Sequence, residues 1–185
     1  LRVVNSDDVF EKYLKDAGLS LKMPPEEWDE NQKQRKRAKK VTATRQANYI
    51  AGRIGMVIDG TGKEYDKIRE QKANLEALGY DCHMIFVNTS VEVALERNEK
   101  RERTVPEDVA ILSWKAVQGN IGKFSQLFKG TMDIVDNNKP DQNIEVMTFK
   151  EVKRLLKKKV RNTRAKQWIE MEMKNRGIKR KPKGF

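Results

Sequence analysis

The run Gly55-Met56-Val57-Ile58-Asp59-Gly60-Thr61-Gly62-Lys63 decides the fold class of this chain. A continuous apolar stretch closed by an aspartate and a glycine-rich turn reads as a buried strand of parallel sheet. Strands covered on both faces lose the alternation of apolar and polar residues. Directly downstream, Tyr65 to Leu78 sets Ile68, Leu75 and Leu78 on one side of a helix that Gly79 stops. Cys82–Val87 then repeats the apolar strand pattern. Strand, helix and strand at this spacing predict a βαβ crossover, hence a parallel α/β sheet with a right-handed connection.

Reading outward toward the amino end, Arg2–Asn5 is a short apolar strand, and Ser6-Asp7-Asp8 offers helix N-cap chemistry. Val9, Phe10, Tyr13 and Leu14 follow at helical spacing. Leu19 to Pro25 is a break, and a long polar helix is expected from about Glu26 to Ala51. Its dense basic run, Lys33–Lys40, reads as a solvated face. Toward the carboxyl end, Asn88-Thr89-Ser90 caps a helix from Val91 to about Lys100. Pro106 opens another, with Ala110, Trp114, Val117, Ile121 and Phe124 on its inner face. Met132–Val135 and Ile144–Met147 read as two short strands. Thr148 is expected to cap a last helix that fades into a disordered Gly177–Phe185. The expected organisation is an α/β domain over residues 1–148 followed by a basic C-terminal helix and tail over 149–185.

The charge supports that division. The chain has 185 residues and a net charge of +12. Residues 150–185 hold 15 Lys and Arg against Glu151, Glu170 and Glu172, so the whole excess resides there and the rest of the chain is balanced. A neutral domain with a cationic tail predicts a polyanionic partner, with nucleic acid first among them; the alternative is a solvated extension that binds nothing specific. No apolar run reaches the roughly 18 residues that cross a bilayer, so no membrane partner is expected. One cysteine, Cys82, and one histidine, His83, leave no disulfide framework and no Cys/His metal set. Both lie in an apolar strand and read as packed rather than reactive. The expectation is a cytoplasmic, reduced, soluble domain.

Three constellations could carry chemistry. Asn5-Ser6-Asp7-Asp8 stands at the carboxyl end of the opening strand, where ligands of open α/β sheets sit, and a carboxylate there can take a proton from a substrate hydroxyl. A plain helix cap is the other reading. Asp59-Gly60-Thr61-Gly62-Lys63 occupies the same position on the next strand. Asp59 and Thr61 could touch a substrate or a magnesium-bound water, or the segment is a simple tight turn. It lacks the full GxxxxGK[S/T] phosphate-loop pattern. Arg97 and Arg101 lie four residues apart on one helix face, with Arg103 beyond them, ahead of Thr104-Val105-Pro106. Paired guanidinium groups there suit a lid over phosphates, or a salt-bridged surface helix. Asn137, at a late strand end, could border a nucleotide base or form a turn.

In order and combination these motifs resemble the P-loop kinases of the polynucleotide 5′-kinase and zeta-toxin type, over about Val3 to Phe128. The resemblance implies a three-layer fold around a parallel sheet, with ATP and Mg2+ as cofactors. It implies a hydroxyl acceptor on a nucleic-acid end, a nucleotide or a small molecule. Asp7 matches the general base, with Asp8 beside it. Asp59 and Thr61 fall on the substrate-contacting motif, whose Asp-Gly-Thr order is nearer the zeta-toxin pattern. Arg97 and Arg101 match the lid arginines that hold donor phosphates, and Arg103 and Asn137 join the nucleotide side. The resemblance also places a Walker A segment before the Arg2–Asn5 strand, and these 185 residues contain none. The expectation is therefore a kinase-like body without its first strand and phosphate loop, turning over little or no ATP as it stands, its sheet open to completion by a partner chain. The alternative is a non-catalytic nucleic-acid-binding accessory protein on the same scaffold.

Overall fold

The computed structural model describes residues 1–139 and 143–179. Two units emerge, each drawn from two stretches of chain: residues 1–61 with 94–113, and residues 62–93 with those from 114 onward.

In the first unit, β1 (Arg2–Val4) pairs in parallel with β2 (Met56–Ile58), in the register Arg2 to Met56 and Val4 to Ile58. The ladder extends at both ends, as the Arg2 amide donates to the Gly55 carbonyl and the Asp59 amide to the Val4 carbonyl. Between the strands run α1 (Asp7–Asp16) and α2 (Trp28–Ala51), the latter entered through a single 3-10 turn at Pro25–Glu27. The expected cap of α1 moves by one residue. The Ser6 side chain makes no cap bond, and the Asn5 side-chain oxygen accepts the Asp7 amide at 2.7 Å instead. Val9, Phe10 and Leu14 of α1 pack on Ala38 of α2 to form the core. Arg35 and Arg37, from the basic run of α2, lie over the rings of Phe10 and Tyr13 at 4.8 and 4.7 Å. Part of that run therefore serves the fold through its planar cations.

The second unit holds α3 (Tyr65–Ala77), β3 (Met84–Asn88) and β4 (Met132–Asp136). β3 and β4 pair in parallel from Met84 with Met132 to Asn88 with Asp136. α4 (Val91–Glu99) and α5 (Glu107–Leu127) lie between them in sequence, and each continues from one unit's residues into the other's. The Ser90 hydroxyl accepts the Val93 amide, so the expected cap of α4 is in place. Phe86, Phe124 and Phe128 form the core, with Tyr65, Ile68 and Val117 packed against them.

Several expectations are corrected. Among the described residues β2 and β3 share no ladder, so the strand–helix–strand segment around α3 does not make one paired βαβ unit. Each strand instead pairs across a longer crossover, as parallel strands require a dozen or more connecting residues. The strands are also less buried than a two-sided sheet demands, with Val3 64%, Val57 40% and Ile134 58% exposed. In a two-stranded pair only one face is covered. Ile144–Met147 is not a strand but the first turn of α6 (Ile144–Leu156), capped by Asn143 rather than Thr148. Four apolar-rich residues fit either period. The longer recurrence Ile144, Thr148, Val152 and Leu155 is helical, and this side of α6 is the less exposed one.

The last helix is likewise two. α7 (Thr163–Asn175) follows α6 and ends in a turn where the Ile178 amide donates to the Met173 carbonyl. The Gly177–Lys179 part of the expected disordered segment is thus described and ordered by this turn, while 180–185 lie outside the described residues. Gly79, at φ +108°, lets the end of α3 approach α7, where an added Cβ would lie 3.4 Å from the Ala165 nitrogen. No helix among the described residues is long and apolar enough to cross a membrane.

Candidate active site

The parallel pairing of β1 and β2 brings Asn5 and Asp59 to the same carboxyl edge, one residue past each strand. The Asn5 amide nitrogen donates to Asp59 Oδ2 at 2.7 Å while its oxygen holds the Asp7 backbone. Asn5 thus fixes Asp59 with one end of its side chain and the start of α1 with the other. Beyond this edge, Asp7 and Glu11 stand four residues apart on one face of α1.

Arg103 joins them. Its Nη2 lies 3.1 Å from Asp7 Oδ2 and its Nε donates to Glu11 Oε1 at 3.1 Å. The guanidinium also stands 5.8 Å from the Phe10 ring centroid. With only 18% of its side chain exposed, Arg103 is the anchored cation of the group. The loop that carries it is closed by Asn98, whose side chain donates to the Val105 carbonyl at 2.8 Å and accepts the Val105 amide at 3.1 Å. A side-chain amide here copies a strand ladder and holds residues 99–104 as a bounded loop.

The result is an open cleft of about 380 Å³ lined by Asp7, Glu11, Arg101, Glu102 and Arg103. Its chemistry is mixed. Arg103 is neutralised by two carboxylates, whereas Arg101 is exposed and forms no ion pair among the described residues. A free guanidinium beside a carboxylate offers an anion site next to a proton acceptor.

The expected site residues divide accordingly. Asp7, Arg101 and Arg103 come together in this cleft. Asp59 is tied to Asn5 at the adjoining sheet edge. Asp8, Thr61 and Arg97 belong to the same unit but do not line the cleft. Asn137 belongs to the second unit, where its amide donates to the Asn88 carbonyl at 2.8 Å and prolongs the β3–β4 ladder. Sequence reasoning named Asn5 only as part of its motif, with no role of its own, and gave none to Glu11 or Asn98. The i, i+4 spacing of Asp7 and Glu11 is the signal that could have found Glu11. Nothing local marks Asn98, because its partner is a backbone seven residues away.

The glycine-rich segment after β2 is held from the other side. The Asn120 amide, 6% exposed, donates to the carbonyls of Gly62 and Lys63 at 3.1 and 3.0 Å. Gly62, at φ +77°, backs onto Phe124 and Val117. This end of the segment is a packed turn, its carbonyls consumed by Asn120. Cys82 and His83 stand just ahead of β3 rather than inside it, and both are half-buried. Burial, with Glu76 nearby, pushes the Cys82 thiol up to about 11. Burial first, then the charges of Lys158 and Arg161, hold the His83 imidazole below its ordinary value. Among the described residues no three His, Cys, Asp or Glu side chains gather as a metal site.

The family model for zeta toxins matches residues 8–164, most of the chain. No curated protein and no solved structure matches it significantly.

Proposed function

The chain belongs to the zeta toxin family, a P-loop kinase-like family whose chemistry is ATP-dependent phosphotransfer, and from that premise we propose that its cleft phosphorylates a hydroxyl acceptor. Asp7 is the general base and Arg101 the phosphate-binding cation. One observation supports this most directly: an unpaired guanidinium and a carboxylate anchored at the sheet's carboxyl edge line the same cleft.

The donor set fits one of the cofactors that the family implies. Arg101, on the loop after α4 rather than on the helix face expected with Arg97, would meet the oxygens of a nucleotide triphosphate. Asp7 and Glu11 are both paired with Arg103, and no three metal-binding side chains gather among the described residues, so magnesium would come with the nucleotide rather than to a site of the chain. Bound magnesium–ATP supplies the phosphoryl group and neutralises part of its charge. The chain's own residues do the rest. Asp7 would take the proton from the acceptor hydroxyl, whose oxygen would gain the phosphoryl group as the bond from the γ-phosphorus to the bridging oxygen breaks and ADP leaves. Arg103 keeps the Asp7 carboxylate oriented toward the cleft, and Arg101 stabilises charge on the transferring group. Asn5 positions Asp7 through its backbone, a positioning role.

The test is transfer from γ-labelled ATP to a panel of hydroxyl acceptors: oligonucleotide 5′-ends, nucleotides and small polyols. Against the sequence-based expectation of little or no turnover, this reading has the wild type label at least one class. Asp7→Asn should cut kcat by about 10²–10⁴ while ATP affinity holds, and Arg101→Ala should lower kcat/KM by about 10²-fold. ATP neither bound nor consumed by the wild type would defeat the reading, as would full activity in Asp7→Asn.

A further inference from the structure

The second unit carries a feature that phosphotransfer does not use. α6 packs against β4 and turns another face to solvent. Lys150, Lys153 and Lys157 recur at i, i+3 and i+7, so they share one line along that face. Lys158, Lys159 and Arg161 continue it through the turn into α7. Among the described residues from Lys150 to Lys179, the ion pairs formed by cations are those of Arg154 with Glu151 and Asp133 and of Arg176 with Glu172. On α2 the basic run is partly engaged: Lys33 pairs with Glu30, and Arg35 and Arg37 are spent on Phe10 and Tyr13, which leaves Lys36, Lys39 and Lys40 as its exposed cations without an ion pair among the described residues.

The turn itself is built, not loose. Asn162 caps α7 and donates to the Glu76 and Tyr80 carbonyls at 2.8 and 3.2 Å, while the Arg161 amide donates to Asp81 at 2.7 Å. The cations thus stand on α6, which packs on β4, and on a turn tied to the end of α3 and the residues just after it, with their mutual repulsion unrelieved. The charges of Lys158 and Arg161 are felt at His83, where both disfavour the protonated ring.

We infer that the solvent face of α6 and its turn into α7 is a docking surface for the phosphate backbone of a nucleic acid. Lys150 to Lys157 spans about 10 Å at 1.5 Å per residue, which covers about three phosphates of one DNA strand at 3.4 Å each. The distribution of apolar residues on α6 favours a nucleic acid over a membrane surface. A helix that inserts into lipid presents one continuous apolar stripe. The exposed apolar residues here are scattered about the lysine line: Val146 falls on it at the first turn, Met147 on one side, and Phe149 and Leu156 on the other, with Lys153 between them. The Phe149 ring already carries the Lys153 ammonium at 4.6 Å. The inference stands apart from the phosphotransfer reading, since the two use different units.

Binding of the full chain to a fluorescent 24-base-pair DNA duplex, followed by anisotropy across a salt series, tests it. The wild type should bind with a steep salt slope. The quadruple variant Lys150→Gln, Lys153→Gln, Lys157→Gln, Lys158→Gln should lose more than tenfold in affinity at about 100 mM salt. Its log–log slope should flatten by about 3 to 4, near 0.9 for each phosphate that the protein no longer neutralises. A control, Lys22→Gln, Lys36→Gln, Lys39→Gln, Lys40→Gln, removes the same charge from the first unit and should change affinity less than threefold. Circular dichroism melts confirm that both variants fold. Equal losses in the two variants would reduce the effect to net charge and overturn the inference. So would binding to vesicles of phosphatidylcholine and phosphatidylserine without binding to the duplex.

Discussion

Arg103 carries three roles with one planar group: it meets Asp7 through one nitrogen, Glu11 through another, and the Phe10 ring with its face. Lysine cannot reproduce this, since a single ammonium has neither the fork nor the stacking surface. Both carboxylates are partly exposed, 54% and 38% of their side chains, so solvent screens the pairs and the energy is modest. Arg103→Ala is expected to cost about 1 kcal/mol in urea unfolding. Arg103→Lys should recover less than half of it. A double-mutant cycle with Glu11→Gln should show a coupling of about 0.5 kcal/mol or more; a coupling of zero would mean that Arg103 acts through Phe10 alone. The residue's position was visible in the sequence as one of several arginines beside a lid. Its partners were not, because they lie 92 and 96 positions away and no local pattern links them.

Elements were legible where the pattern was long and lost where it was short. α1, α3, α4 and α5 each span enough turns for an apolar face to declare itself, and each forms within a few residues of its expected ends. The 144–147 segment was too short to distinguish two periods, and its helical character follows from Asn143 and the residues beyond it. Strand partners were illegible for a different reason. Hydropathy shows that a strand pairs, but not with which neighbour, and β2 and β3 looked joined only because they are adjacent in sequence. The anchoring of α7 was equally hidden, since one residue, Asn162, supplies it. Its oxygen accepts the amides of Arg164 and Ala165, and its nitrogen donates to two carbonyls at the end of α3. Asn162→Ala should therefore cost about 2 kcal/mol, more than a cap alone. Asn162→Asp keeps the acceptor and loses the donors, so it should fall between. An aspartate variant as stable as wild type would show that the bonds to α3 contribute nothing.

At the scale of the molecule, neither unit is a continuous piece of chain. The chain passes from one unit's residues to the other's after Thr61, after Val93 and after Ser113. At the second and third passages the backbone is helical, within α4 and α5. A unit whose segments are threaded this way cannot unfold without disturbing helices that continue into the other, and cooperative opening of both is the expectation. Cys82 reports on it. Its thiol, pushed up to about 11 by burial, holds almost no thiolate at pH 8. An unfolded cysteine near 8.5 holds a substantial fraction. Labelling by a disulfide reagent should therefore run more than tenfold slower in the native protein than in denaturant, even though the more basic thiolate is the stronger nucleophile. The informative variant lies in the first unit. Leu14 is fully buried between α1 and α2, and Leu14→Ala is expected to cost about 2–5 kcal/mol. If the units open together, that loss lowers the urea concentration at which Cys82 in the second unit becomes rapidly labelled, by the amount the destabilisation predicts. If they open independently, Leu14→Ala leaves that midpoint unchanged while Phe124→Ala, in the second unit's own core, lowers it. The threaded chain predicts the first result.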